Sequence, residues 1–228
     1  RMATHVGTSG VVKIGSDTVA EVIGFNLDET NDTDKQLKNE FVTEIAATLA
    51  FSATKNNDKI GLILFTDQVE LYIPPKKGRS HVLRIIRELI EFKASSKKTN
   101  ISEGLRFLSS VIKKRAIVFV LSDFIDDNYD YTLKIASKKH DVTGIRIYDK
   151  NEMTIPNIGL VQMIDQESGK SMIVNTSLER TRKNYTNYFL AQQSYFEASF
   201  KKSGAGHMSC RLDQSYVKKL LGYFKQRG

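Results

Sequence analysis

Apolar residues recur along this chain in two rhythms, and the switches between them mark out its elements. Over residues 34–54, Leu37, Phe41, Ile45 and Leu49 repeat every fourth position, with Val42, Ala46, Ala50 and Ala53 beside them. That spacing predicts a helix with a wide apolar stripe. Asn56-Asn57-Asp58 ends it. Residues 59–66 are almost continuously apolar, the pattern of a strand buried on both faces. Residues 69–73 form a second strand, which Pro74-Pro75 is expected to stop. Helical spacing returns at 79–92 and 101–112. Residues 115–122 (Arg-Ala-Ile-Val-Phe-Val-Leu-Ser) make the most strongly apolar strand, and Asp123 follows it. A helix is expected near 129–137 and a strand at 142–148. Strands then follow at 160–164 and 171–175, a long helix at 178–202, a strand at 207–212 and a helix at 215–225.

Upstream, residues 10–15 and 18–27 read as two strands joined by a tight turn at Ser16-Asp17. An Asp-, Asn- and Thr-rich stretch, 28–34, leads from them into the first helix and suits both turning and capping. Strands alternating with helices predict an α/β fold: a doubly wound, mostly parallel sheet with helices on both faces. The division expected is an N-terminal β-hairpin segment at 1–33, which can supply the first strand, and the main domain at 34–228.

Composition fits this picture. The chain has 228 residues, 40% hydrophobic and 26% charged, enough for one folded core. No apolar run approaches the roughly 20 residues that cross a bilayer, and the first ten residues lack the apolar stretch of a signal peptide. The single cysteine, Cys210, excludes an internal disulfide and reads as core filler. A cytoplasmic location is the expectation. The net charge of +8 is gathered in short clusters such as Lys113-Lys114-Arg115 and Lys138-Lys139. These fall at predicted helix ends, where cations complement the helix dipole. They lack the aromatic interleaving of a single-strand nucleic-acid groove, so no nucleic-acid partner is expected. The four histidines show no zinc-ligand spacing.

In open α/β sheets, ligands bind beyond the carboxyl ends of the strands. Asp123 stands there, after the most buried strand. Asp28 follows the strand that feeds the first helix, with Thr30 and Asp32 at alternate positions. Thr99 precedes the helix at 101–112. Carboxylates and hydroxyls from three loops are what a hard cation takes, so Mg²⁺ or Mn²⁺ is the candidate ion. The same residues also serve as helix caps or solvated turns, and no one of them is specific.

Residues 40–53 and 56–67, the run Ile73 to Arg79, residues 81–89, Ile117 to Phe124 and Ile145 to Asp149 resemble the bacterial proteins called domain of unknown function 58. That resemblance covers about residues 35–227. It implies a Rossmann-like domain of von Willebrand factor A type carrying a metal-ion-dependent adhesion site. The family pattern needs Asp-x-Ser-x-Ser after the first strand, a Thr in a middle loop and an Asp after the fourth strand. Thr99 and Asp123 match the last two. Asp28-Glu29-Thr30-Asn31-Asp32 stands where the first should be, with Thr for one Ser and a charged Asp32 for the other. The resemblance also implies an adaptor role beside a MoxR-type AAA+ ATPase or its client. Residues 2–32 are instead similar to the start of phage tail-tube proteins, which implies a fused or rearranged N-terminus.

Three functions compete on this reading. The first is a protein-binding module with a metal-ion-dependent adhesion site. The second is a structural or assembly protein that adds strands of its N-terminal hairpin to a neighbour's sheet. The third, a metal hydrolase using Asp28, Asp32 and Asp123, lacks a base of recognisable spacing and a Walker-type phosphate loop, so a non-enzyme is expected.

Overall fold

The computed structural model describes residues 20–25, 33–96, 98–164 and 171–227. The chain order is β1 (Ala20–Phe25), α1 (Thr33–Lys55), β2 (Lys59–Phe65), β3 (Val69–Lys76), α2 (Arg79–Glu91), α3 (Ile101–Val111), β4 (Ile117–Ser122), α4 (Asp130–Lys139), β5 (Asp141–Tyr148), β6 (Leu160–Ile164), β7 (Ser171–Asn175), α5 (Glu179–Lys202), β8 (Gly206–Arg211) and α6 (Tyr216–Arg227).

Six strands form one sheet in the order β3-β2-β1-β4-β5-β8. All pairs are parallel except β2 with β3. Successive strand residues point to opposite faces, and in β4 they enter two separate cores. Ile117, Phe119 and Leu121 join residues of α1, α2 and α6, whereas Val118 and Val120 join residues of α3, α4 and α5. Helices therefore cover both faces, which is why β2 and β4 read as unbroken apolar runs. Hydrophobic burial on this scale, about 25 cal/mol per Å² of apolar surface, is the main force holding the sheet and helices together.

β1 lies in the middle of the sheet, with Phe25 paired to Leu64 on one side and Leu121 on the other. From β1 the chain moves outward through β2 to β3, then returns to β4 on β1's other flank. The order thus reverses between β1 and β4, the place where such sheets open a crevice at their carboxyl edge.

One expectation needs correction. β3 does not stop at Ile73 but runs through Pro74 and Pro75 to Lys76. It is an edge strand, where a residue without an amide hydrogen does least harm. Strands β6 and β7 do not enter the main sheet; they form a separate antiparallel pair. The expected strand at residues 10–15 lies outside the described residues.

Candidate functional site at the carboxyl edge

Asp123 follows β4 directly, where the sequence places it. Its side chain is about one-fifth exposed (20%) and is gripped from two sides. The Lys38 ammonium, on the second turn of α1, donates to Asp123 Oδ2 at 3.2 Å. The backbone N–H of Ile125 donates to Oδ1 at 3.2 Å. Burial by itself would raise the Asp123 pKa, but the Lys38 charge and the Ile125 N–H outweigh it and hold the carboxyl below its ordinary value.

Lys38 has a second partner. Its Nζ also lies 3.2 Å from Glu152 Oε1. Glu152 is placed by a capping box after β5. Asp149 Oδ1 accepts from Asn151 N at 2.7 Å, and Glu152 Oε1 accepts from Asp149 N at 3.2 Å. Burial disfavours the Lys38 charge, yet Asp123 and then Glu152 more than compensate, so its pKa lies above the ordinary value.

Beneath this triad runs Arg146, a charged residue in the middle of β5 and only 1% exposed. Its Nε donates to the backbone oxygen of Asp123 at 3.1 Å. Its guanidinium lies 4.6 Å from the ring centroid of Phe189 and 5.6 Å from that of Tyr148, close enough for cation–π attraction. Nη1 has no hydrogen-bond partner among the described residues. Two cations, Lys38 and Arg146, thus balance two carboxylates, Asp123 and Glu152.

The loop after Asp123 is stiff. Phe124 adopts a left-handed backbone, φ 55°, that β-carbon-bearing residues enter at a cost. Two contacts hold it there. Its N–H donates to Ser122 Oγ at 3.0 Å, and its ring packs 4.5 Å from Phe196 and 5.4 Å from Phe200. Asp126 then ties this loop to the next one. Its Oδ2 accepts from Ile101 N at 2.7 Å, at the start of α3. Burial and the neighbouring carboxylates raise the Asp126 pKa, against the two backbone N–H bonds it accepts. Asn100 caps α3 by accepting from Glu103 N, and its own N–H reaches Thr66 O at the end of β2. Loops from β2, β4 and the α3 entrance are thereby joined. Over them Ile125 is 40% exposed, and Asp127 and Asn128 are exposed beside it.

The sequence-predicted residues divide accordingly. Thr99 is half-buried on the loop that Asp126 ties to the Asp123 loop. Asp28, Thr30 and Asp32 lie outside the described residues. Lys38, Glu152 and Arg146 were not anticipated. Arg146 carried a legible signal, a guanidinium inside an otherwise apolar strand. Glu152 carried a weaker one, the Asp-x-x-Glu spacing of a capping box.

The other titratable singletons lie away from this edge. Cys210 is buried in β8, where burial pushes its thiol up to about 11, well out of the range of a reactive thiolate. His140 sits at the amino end of β5, 1% exposed. Burial, then Lys139 and Arg115, push its pKa down to about 4.

A divalent ion implied by the family pattern can be tested against this donor set. Among the described residues, no three His, Cys, Asp or Glu side chains converge as a metal site. The point between the Asp123 and Glu152 oxygens already holds an ammonium, and a second cation, Arg146, lies below. A dication would meet two positive charges in a partly desolvated setting, where repulsion is poorly screened. At the point between Asp123 and Glu152 the described residues place Lys38 rather than a site suited to Mg²⁺ or Mn²⁺; of the expected ligands, Asp28, Thr30 and Asp32 lie outside the described residues.

Comparison with known proteins bears on this edge. The family model described as "Protein of unknown function DUF58" matches residues 20–195. The chain belongs to the DUF58 family. The matched region takes in β1 and runs into α5, so it spans every loop of the candidate site. Among curated relatives, Uncharacterized protein Rv1480 of Mycobacterium tuberculosis is 20% identical over 196 residues. The alignment covers 83% of this chain and 61% of that protein, so the chain spans about three-fifths of that relative. Uncharacterized protein MAV169 of Mycobacterium avium is 19% identical, with 68% of this chain and 93% of that protein covered. Among solved structures, the conserved hypothetical protein BatB from Bacteroides thetaiotaomicron superposes with a TM-score of 0.58 at 15% identity. That match covers 91% of this chain and 98% of BatB. An aerotolerance-related membrane protein from Bacteroides fragilis NCTC 9343 gives 0.58 at 13%, covering 91% and 99%. These likenesses show a shared fold. In this chain, among the described residues, no helix is long and apolar enough to cross a membrane.

Proposed function

We propose that this DUF58 chain is a non-catalytic, protein-binding module of von Willebrand factor A type. Its carboxyl edge, centred on the loop after β4, is the binding face. The partner class that the family resemblance implies is a MoxR-type AAA+ ATPase or its client.

The observation that carries this reading is the build of that loop. Ile125 and Asp127 are held outward by a strained Phe124 anchored in the aromatic core and by the Asp126–Ile101 tie. A preorganised loop loses little entropy on binding, and an exposed apolar residue beside a carboxylate suits a protein surface. Beneath it Lys38, Asp123 and Glu152 pair with one another, so none of the three stands as an activated nucleophile or free base.

The test uses a purified MoxR-type AAA+ ATPase. Ile125→Asp and Asp127→Lys are expected to weaken its binding at least tenfold in a titration, with unfolding midpoints within about 2 °C of wild type. Undiminished binding by both variants would remove the loop from the interface.

A further inference from the structure

We infer that Lys38 is a resident cation: its ammonium takes the place that a divalent ion would hold between Asp123 and Glu152, so this pair of carboxylates is held together without metal. Nζ is 3.2 Å from one oxygen of each carboxylate, so it bridges them as a small ion would. Both carboxylates are aimed by contacts independent of Lys38. Ile125 N fixes Asp123, and Asp149 N fixes Glu152. Each acid thus keeps its backbone N–H contact when the lysine is absent.

Charge supports the same assignment. With Lys38 and Arg146 present, the four groups sum to zero. Replacing the lysine by a neutral side chain leaves one negative charge in a partly buried pocket. A hard dication bound through one or two carboxylates and several waters answers that deficit. A lysine covalently attached to α1 has an advantage over a diffusing ion. Its local concentration does not depend on metal supply, and it ties α1 to β4 and β5 permanently.

The consequence is a gain of function on deletion. Wild type, Lys38→Gln, Lys38→Arg and Lys38→Gln/Asp123→Asn are compared by thermal unfolding in EDTA and in MnCl₂. Wild type and Lys38→Arg are expected to shift by less than about 1 °C. Lys38→Gln is expected to be less stable in EDTA and to rise by about 3–5 °C when Mn²⁺ stands tenfold above its Kd. The double variant should lose that rise.

Stabilisation of wild type by Mn²⁺ that Asp123→Asn abolishes overturns the inference. So does a Lys38→Gln protein that Mn²⁺ does not stabilise. Should Lys38→Gln fail to fold in EDTA, refolding yield is the readout. Recovery in Mn²⁺ supports the assignment, and no recovery while Lys38→Arg folds counts against it. The inference deepens the protein-binding reading, but its readouts contain no partner, so either can fail alone.

Discussion

Asp123 and Lys38 make a pair whose partners are each about four-fifths covered (20% exposed). That lies between an exposed ion pair, worth little, and a fully buried one, whose breaking costs several kcal/mol. Asp123→Asn keeps the shape but strips the charge that compensates Lys38 and Arg146. It is expected to cost about 1–3 kcal/mol, read from urea unfolding. A second residue-scale prediction concerns acid. His140 has its folded pKa depressed from 6.5 to about 4, so the unfolded chain takes up the proton first. Its contribution is complete above pH 6.5 and is lost as pH falls from there through about 4. His140→Leu should therefore gain stability relative to wild type at pH 5, with a smaller or opposite difference at pH 8. Melting temperatures across that window check it, and parallel pH curves would contradict it. Asp123, whose pKa is also depressed, loses its contribution only below its ordinary value of 3.8, so the two windows separate. How far these residues were legible varies. Asp123 was legible in position, because it directly follows the most apolar strand and so stands at the carboxyl edge of the sheet; its partner Lys38 was not. Its partners are 85 and 114 positions away, and a lysine near a helix start looks solvated until the sheet order brings β4 and β5 beneath it.

At the scale of elements, α5 is docked by a close approach that only glycine permits. A β-carbon on Gly144 of β5 would collide with the Phe200 ring and stand 2.9 Å from Phe196 Cε2. Phe124 shares those two rings, so α5 helps hold the loop after Asp123. Gly144→Ala is expected to destabilise by about 1–3 kcal/mol and to raise hydrogen exchange in both α5 and residues 123–128. Exchange raised in α5 alone would uncouple the helix from the loop. Helices with a full apolar stripe and strands without polar breaks were readable because burial on both faces dictates them. The run of β3 through Pro74-Pro75 was not, since only its place at the sheet edge excuses those prolines. Nor was the separation of β6 and β7, because alternation within a strand does not say which sheet it joins.

For the whole molecule, the sheet order is decisive. Its reversal between β1 and β4 opens the carboxyl edge, and α1, crossing from β1 to β2, brings Lys38 over the end of β4. The mixed α/β class was accessible from the rhythm of elements, whereas the pairing of Lys38 with Asp123 and Glu152 was a consequence of topology. The proposed place of Lys38 makes a prediction at this scale too: removing divalent ions with EDTA should leave partner binding by wild type unchanged within about twofold, whereas loss of binding would restore the ion to the interface. The most direct measurement is an anomalous difference map at the manganese edge, from crystals of the wild-type chain grown in MnCl₂. Electron density for the Lys38 ammonium between Asp123 and Glu152, with no manganese peak within ligand distance of Asp123, is the result expected. A manganese peak there, with Lys38 turned away, would contradict the account.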